Sequence, residues 1–378
     1  MFEKKEQKYY RLNNILQLCA DYNMLLGERA NGKSYSVKEC ILWEAYNECD
    51  YNEFINNGKR VPKNRFMFGY LRRWREEIKT RDVESYFSDM DISKITNGNY
   101  ECIVCYRNDI YFGHYDDDGK KIRGKQCGSC FSVNSATHYK SLSFPTIGNI
   151  VYEEFITNAG YLPHEVDNLM DIISTISRRQ YVRVFLIGNT ISRLCPYFDE
   201  WQLTHVKTQK QGTIDIYKQP TTQVDENTGE PVIVTIAVEY CENSGNNSKM
   251  FFGNKSKMIQ TGVWETETFQ HLEQPFNHYK LIYEIFYKYS SFQFNICLLK
   301  DDNNLPFLYV YPAKEIKNSI KRIVTDDFST DNLTTNNLTN KTMYDKIVLE
   351  LINENKIVFS DNLTGTEFYQ IKKEKGGF

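Results

Sequence analysis

The sequence predicts an α/β fold, a mostly parallel central sheet flanked by helices, followed by a second and smaller α/β region. Three observations predict it. Apolar runs of strand length alternate with helix-length stretches through residues 1–200, the pattern that βαβ units produce. The chain has 378 residues, 41% of them apolar, which is more than one core usually accommodates and enough to fill two. From about Trp201 the texture changes to polar strands and Asn-rich loops, and after Tyr279 a compact hairpin-and-helix pattern of domain size takes over.

The elements follow in order. Arg11 to Cys19 (RLNNILQLC) spaces its apolar residues near a helical period, and Tyr22 to Leu26 (YNMLL) is a short apolar strand ending at Gly27. In SVKECILWEAYNE, Val37, Cys40, Ile41 and Tyr46 share one face while Lys38, Glu39 and Glu44 lie off it, which predicts an amphipathic helix. Phe66 to Leu71 reads as a strand and Arg72 to Ile78 as a short helix. Residues 100–115 and 122–136 read as strands around DDDGKK, whose Asp-Gly is a turn signal. Ile147 to Phe155 (IGNIVYEEF) is an apolar run ending in two carboxylates, HEVDNLMDIISTI a helix, and Tyr181 to Gly188 a buried-type strand. Strands Thr213 to Tyr217 and Val232 to Tyr240 flank a turn-rich loop, and residues 201–278 read as a lid or linker between domains 1–200 and 279–378. Beyond it, FQFNICLLKDDNNLPFLYVYPA is a hairpin, RIVTDDFS a strand and TMYDKIVLELINENK a helix.

Composition excludes some classes. No apolar run approaches the ~18 residues that span a bilayer, so no membrane partner is expected. The charged N-terminus lacks a secretory pattern, and a cytosolic protein with ten free thiols is expected. A net charge of −3 argues against stoichiometric coating of nucleic acid, though local basic clusters can still grip phosphates.

The stretch Gly27-Glu28-Arg29-Ala30-Asn31-Gly32-Lys33-Ser34 fits G-x-x-x-x-G-K-[ST], between a strand and a helix as that pattern requires. The glycines let backbone amides turn toward phosphates, Lys33 places a cation at the β/γ oxygens, and Ser34 can ligate Mg²⁺ while the helix N-terminus, Tyr35 included, faces the anion. ATP and Mg²⁺ are therefore the expected cofactors. A hydrolase also needs an acid for the metal and a carboxylate for the attacking water. Glu153 and Glu154 end the apolar run as a Walker B pair should, Glu153 on the metal side and Glu154 as general base. Asn189, the first polar side chain after VFLIG, sits where additional-strand ATPases keep a γ-phosphate sensor, and Arg178 or Arg179 could reach a neighbouring subunit's nucleotide as an arginine finger. The first 200 residues thus read as an additional-strand (ASCE) P-loop NTPase domain.

In this order, the blocks GERANGKSYS, RFMFGYLRR, HYKSLSFPTIGNIVYEEF, SRRQ and VFLIGNTISRLCPYF resemble the phi29-like phage DNA-packaging (encapsidation) ATPases, relatives of terminase large subunits. The resemblance covers about residues 20 to 200. It implies a homo-oligomeric ring, a pentamer by this likeness, that hydrolyses ATP to drive double-stranded DNA into a capsid. Portal or connector contact, with or without an RNA adaptor, and a location in the host cytoplasm with transient docking on the procapsid follow from the same likeness. It also implies that Lys140 acts across the subunit interface, that Arg29 switches between nucleotide and neighbour, and that Asn189 belongs to a coupling motif. Glu153 stands where the family commonly has Asp, so its metal contact is expected through water. The C-terminal domain is implied to be RNase H-like. Its carboxylate candidates are Asp301, Asp302, Asp326, Asp327 and Asp361, but Asp301 and Asp302 sit in a turn that favours Asp, so a nuclease-inactive version used for DNA or capsid contact is expected.

Competing signals remain. Cys102, Cys105, Cys127 and Cys130 have zinc-site spacing, yet lie in strand-patterned segments where i and i+3 face opposite ways, which argues against a four-thiolate site. Basic clusters at Lys59, Arg60, Lys63, Arg65, at Lys120, Lys121, Arg123, Lys125 and at Lys255, Lys257 fall in predicted loops; they read as solvated surface or, in a ring, as pore-facing loops that contact phosphates. Alternatives to a packaging motor are another additional-strand ATPase, such as a helicase or DNA-transfer pump, and a zinc-stabilised nucleic-acid binding module.

Overall fold

The computed structural model describes residues 9–178, 180–225, 228–242, 263–313, 322–325, 334–335 and 342–375. The chain divides into two compact units, one formed by residues 1–191 and 195–263, the other by 192–194 and 264–378.

The first unit is built on a nine-stranded sheet. Its strands are β1 (Tyr22–Leu26), β2 (Met67–Arg72), β3 (Cys102–Tyr106), β4 (Asp109–Tyr115), β5 (Lys121–Ser132), β6 (Ile147–Glu153), β7 (Arg183–Ile187), β8 (Thr213–Val224) and β9 (Pro231–Tyr240). Their spatial order is β3-β4-β5-β2-β6-β7-β1-β9-β8. β5, β2, β6, β7, β1 and β9 run parallel, and antiparallel pairing adds β4 and β3 at one edge and β8 at the other. β1, β6 and β7 are buried along their whole length, as strands covered on both faces are. Helices α1 (Asn13–Leu16), α2 (Lys33–Asn47), α3 (Tyr51–Asn57), α4 (Thr80–Tyr86), α5 (Ile92–Ile95), α6 (Glu165–Ser177) and α7 (Pro196–Glu200) complete the unit. Val37, Cys40 and Ile41 of α2 join Leu25, Phe68, Val151 and Phe185 of the sheet in one apolar core.

Several expectations are corrected. The segment after residue 200 is not a separate lid or linker: β9 pairs in parallel with β1 and β8 pairs with β9, so these two strands complete the first sheet, and the division falls at Val263/Trp264 rather than at 200 and 278. Residues 100–115 form a hairpin, not one strand, because Arg107 and Asn108 both take left-handed conformations (φ 52° and 68°), the two-residue turn usually signalled by Asn-Gly. Helix α2 is not simply amphipathic, since Lys38 and Glu44 are buried along with its apolar face. Lys38 Nζ donates to the Tyr86 carbonyl at 2.8 Å and pairs with Asp89. Glu44 receives Arg183 Nη2 (2.7 Å), Asn149 Nδ2 (2.6 Å), Lys63 Nζ (3.0 Å) and the Tyr51 N–H (2.9 Å), so its burial is compensated by partners from β7, β6 and the following loop.

The second unit has a six-stranded mixed sheet of β10 (Lys280–Tyr289), β11 (Phe292–Lys300), β12 (Pro306–Pro312), β13 (Arg322–Thr325), β14 (Thr334–Thr335) and β15 (Ile357–Phe359), in the order β14-β13-β10-β11-β12-β15. β10, β11 and β12 form an antiparallel meander, and β13 runs parallel to β10. Helices α8 (Met343–Asn353) and α9 (Asn362–Lys375) supply Val348, Leu351, Phe368 and Ile371 to the core over this sheet.

Candidate active site

Parallel strands end on one edge of the sheet, and the candidate residues gather where β1, β7, β6 and β2 end. The loop from Gly27 to Gly32 joins β1 to α2. Gly27 (φ 144°), Ala30 (φ 57°) and Gly32 (φ 98°) take positive φ, so the loop curls back on itself before the helix begins at Lys33. Lys33 is buried; its ammonium donates to the Glu28 carbonyl and, at 3.1 Å, to Asn31 Oδ1. Burial lowers its pKa, opposed by Cys241 and by the carboxylates of Glu153 and Glu28. Glu28 and Asn31 are buried, Arg29 and Tyr35 exposed. The N–H of Tyr10 donates to the Asn31 carbonyl at 2.9 Å, Ser36 Oγ donates to the Tyr10 carbonyl at 2.6 Å, and the Tyr10 hydroxyl donates to Glu239 at 2.6 Å. Burial lifts the Glu239 carboxyl to about 7 despite that bond. On the other side, the Cys241 N–H donates to the Leu26 carbonyl, so the end of β9 braces the loop.

β6 enters with an extra residue. Met67 pairs with Ile147 and Phe68 with Asn149, leaving Gly148 as a bulge, where an added Cβ would lie 2.0 Å from the Arg65 carbonyl oxygen. From there alternation sends Asn149 to Glu44 on α2 and Tyr152 to Glu165 on α6. Glu153 falls on the α2 side: its buried carboxylate accepts from the Tyr86 hydroxyl at 2.6 Å and from Ser34. Burial raises its pKa, while Tyr86, Ser34 and Arg72 oppose the rise. The structure thus brings Lys33, Ser34 and Glu153 together.

Glu154 faces differently. Its backbone is left-handed (φ 55°), and its exposed carboxylate accepts from Arg72 Nη2, at the end of β2, at 2.7 Å. Arg72 also bonds Glu77 at 2.8 Å. The next residue, Arg73, is buried: it grips both oxygens of Glu165 (2.8 and 3.0 Å) and donates to the carbonyls of Glu154 (3.2 Å) and Phe155 (2.8 Å). The Tyr152 and Tyr197 hydroxyls also donate to Glu165, at 2.8 and 2.9 Å, completing a buried network under the Glu154 backbone. Sequence reading gave Arg72, Arg73, Tyr86 and Glu165 no role. The pairs Tyr86–Glu153, Arg72–Glu154 and Arg73–Glu165 join residues 67 to 92 positions apart, and only the run GYLRR hinted that a strand ended in two cations.

Asn189 follows β7, which lies between β1 and β6, and the Thr190 N–H donates to the Gly27 carbonyl at 3.3 Å. Lys140 and Arg178 lie at other points of the unit: Lys140 is exposed and pairs with Asp171 of α6 at 2.9 Å, and Arg178, capping α6, donates to the Leu142 carbonyl. Arg179 lies outside the described residues, as do Asp326, Asp327, Lys255 and Lys257. The four zinc-pattern cysteines do not converge: the Cys105 and Cys130 thiols bond each other, while the Cys127 thiol donates to the Ile110 carbonyl at 3.4 Å. Among the described residues no three His, Cys, Asp or Glu side chains form a metal-holding group. In the second unit Asp301 accepts from the backbone N–H groups of Asn303 and Leu305, Asp302 pairs with His278 at 3.1 Å, and Asp361 accepts from the Thr364 N–H at the start of α9.

A glycine-bounded loop between a strand and a helix, a buried lysine at the helix start and a strand-end carboxylate against the next serine meet at one edge of the mostly parallel sheet of a mixed α/β protein. The chain belongs to the family of Podovirus DNA encapsidation proteins (Gp16), whose profile matches residues 4–227. It is 28% identical over 194 residues to the DNA packaging proteins of Bacillus phage PZA and Bacillus phage phi29, a match spanning 50% of this chain and 49% of each of those. The chain is matched over about half the length of these curated relatives. In the solved bacteriophage Phi-29 viral genome packaging motor assembly, a chain shares the fold with a TM-score of 0.53 at 20% identity, over 97% of this chain and 98% of that one.

Proposed function

We propose that this protein is an ATP-hydrolysing motor subunit that drives double-stranded DNA into a viral capsid from a homo-oligomeric, pentameric ring. The observation that carries the reading is the meeting of Lys33, Ser34 and Glu153 at the strand ends, within a chain of the Gp16 family. The residues fit a nucleotide with its metal. Mg²⁺, held by Ser34 and by Glu153 directly or through water, would supply charge neutralisation at the β- and γ-phosphate oxygens. Lys33 binds those oxygens by exchanging its bonds to Glu28 and Asn31, and the amides from Gly27 to Tyr35 orient the phosphate chain. Glu154 accepts a proton from, and aligns, the attacking water; to do so its carboxylate leaves Arg72. Asn189, beside the loop, senses the γ-phosphate.

Exposure of Arg29, Lys140 and Arg178 supports roles across a subunit interface, with Arg178 or Arg179 as the finger. The second unit's meander, extended by parallel strands, supports an RNase H-like reading. Local capping duties of Asp301 and Asp361 favour DNA or capsid contact there over cutting. Docking on a portal or connector of the procapsid in the host cytoplasm, with or without an RNA adaptor, completes the proposal. Steady-state ATPase measurements test it. Wild-type turnover should fall at least a hundredfold, on the order of 10²–10⁴, in Lys33→Ala and Glu154→Gln. Equal rates in all three proteins would refute the enzyme reading, and ATPase without capsid-dependent DNA uptake would refute packaging.

A further inference from the structure

A groove of about 610 Å³ lies between the turn that follows β2 and the β3–β4 turn. Arg75, Lys79, Arg81 and Arg107 line it with Asn108, and Glu76 is the one carboxylate among the lining residues. Four cations against one anion is a matter of placement, because the chain as a whole carries −3. Arg75, Lys79 and Arg107 make no ion pair among the described residues, and Arg81 reaches only the adjacent Asp82, at 3.5 Å on the exposed surface. By contrast, three arginines at or near the strand ends and the loop helix are matched by carboxylates: Arg72 by Glu77 and Glu154, Arg73 by Glu165, Arg183 by Glu44. Two exposed aromatic residues, Trp74 and Tyr106, directly precede the lining residues Arg75 and Arg107 in the chain, and the Arg107 and Arg123 guanidiniums lie 5.2 and 4.0 Å from the Tyr106 ring centroid.

The groove is also held in shape. Arg75 to Ile78 form a 3-10 turn anchored by the Arg72–Glu77 pair and by the Glu77 carboxylate accepting the Trp74 N–H at 2.9 Å. The opposite wall is the strained two-residue turn at Arg107 and Asn108. A small-molecule pocket is mostly apolar with few polar groups, and this one is the reverse. Unpaired cations converging from two chain segments, with aromatic rings beside them, suit a polymer of phosphates with bases attached.

The geometry points to this groove as a binding site for the phosphodiester backbone of nucleic acid, recognised without regard to base sequence. The inference rests on the DNA-motor reading and gives it an address distinct from the nucleotide loop. Four guanidinium or ammonium groups hold successive phosphates, and release follows as salt rises because each contact displaces a condensed counterion.

Fluorescence anisotropy of the full chain with labelled duplex DNA, single-stranded DNA and RNA tests it, comparing wild type with Arg75→Ala/Arg107→Ala and Arg75→Lys/Arg107→Lys. The alanine pair should weaken binding on the order of tenfold and make the slope of log K against log salt shallower by about 2. The lysine pair should keep the wild-type slope. The polymer with the largest loss identifies the form of nucleic acid the groove takes. An unchanged affinity and slope in the alanine pair overturns the proposal, as does equal competition by poly-glutamate, which would mark a protein partner. If wild type hydrolyses ATP while the alanine pair binds nucleic acid normally, the groove assignment fails and the motor reading stands.

Discussion

Replacing Glu44 with glutamine removes one negative charge from the junction that ties the loop helix α2 to β6 and β7. Burial alone would raise this carboxyl, but Arg183 and Lys63, helped by the Tyr51 N–H and the Asn149 amide, outweigh it and hold the pKa at about 2 against an ordinary 4.5. A difference of about 2.5 units corresponds to roughly 3 kcal/mol of folding stability. Removing one partner of a buried pair gives a similar figure, about 3–5 kcal/mol, because Arg183 stays buried with its charge unmatched. At roughly 2–4 °C per kcal/mol for a unit of this size, Glu44→Gln should lower Tm by about 6–12 °C at neutral pH. The depressed pKa fixes the sign of the pH dependence. The contribution is complete above about 4.5 and disappears as pH falls through about 2, so the gap between wild type and variant should be flat from pH 8 to 5 and close below. Calorimetric Tm values across that range check it. Equal Tm at neutral pH, or a gap that widens on acidification, would refute the reasoning.

Arg73→Lys keeps the charge but loses the two-pronged grip on Glu165 and the bonds to the Glu154 and Phe155 carbonyls. ATPase kcat should fall on the order of tenfold with KM little changed, and a matching rise in KM would argue against a positioning role. Gly148→Ala forces a methyl against the Arg65 carbonyl and should destabilise by about 1–3 kcal/mol in denaturant titration; an unmoved midpoint would show that the bulge yields freely. Protein purified without chelator should carry no stoichiometric zinc by metal analysis, whereas one zinc per chain removed by Cys102→Ser or Cys127→Ser would reinstate a thiolate site.

What could be read in the sequence was local. YNMLL, IGNIVYE and the helix after Ser34 announce themselves by period and by glycine, and with them the loop lysine and the paired glutamates. What escaped depends on contacts distant in the chain. Lys38 and Glu44 look solvent-facing on a helical wheel, yet Asp89 is 51 and Arg183 139 residues away. The place of β9 beside β1 is equally invisible, since a parallel neighbour joined by more than two hundred residues leaves no mark on either strand. Arg73 has the same history: its carboxylate partner is 92 residues on.

The left-handed backbone at Glu154 has an evolutionary side. A glutamate in that conformation sits about 1–2 kcal/mol above where glycine would rest, so Glu154→Gly should make the protein harder to unfold. The change that would most relax this corner of the chain is the one that deletes its acid group. Selection for robustness under heat alone would favour glycine there, and the carboxylate proposed above as the water's base would be lost with the strain.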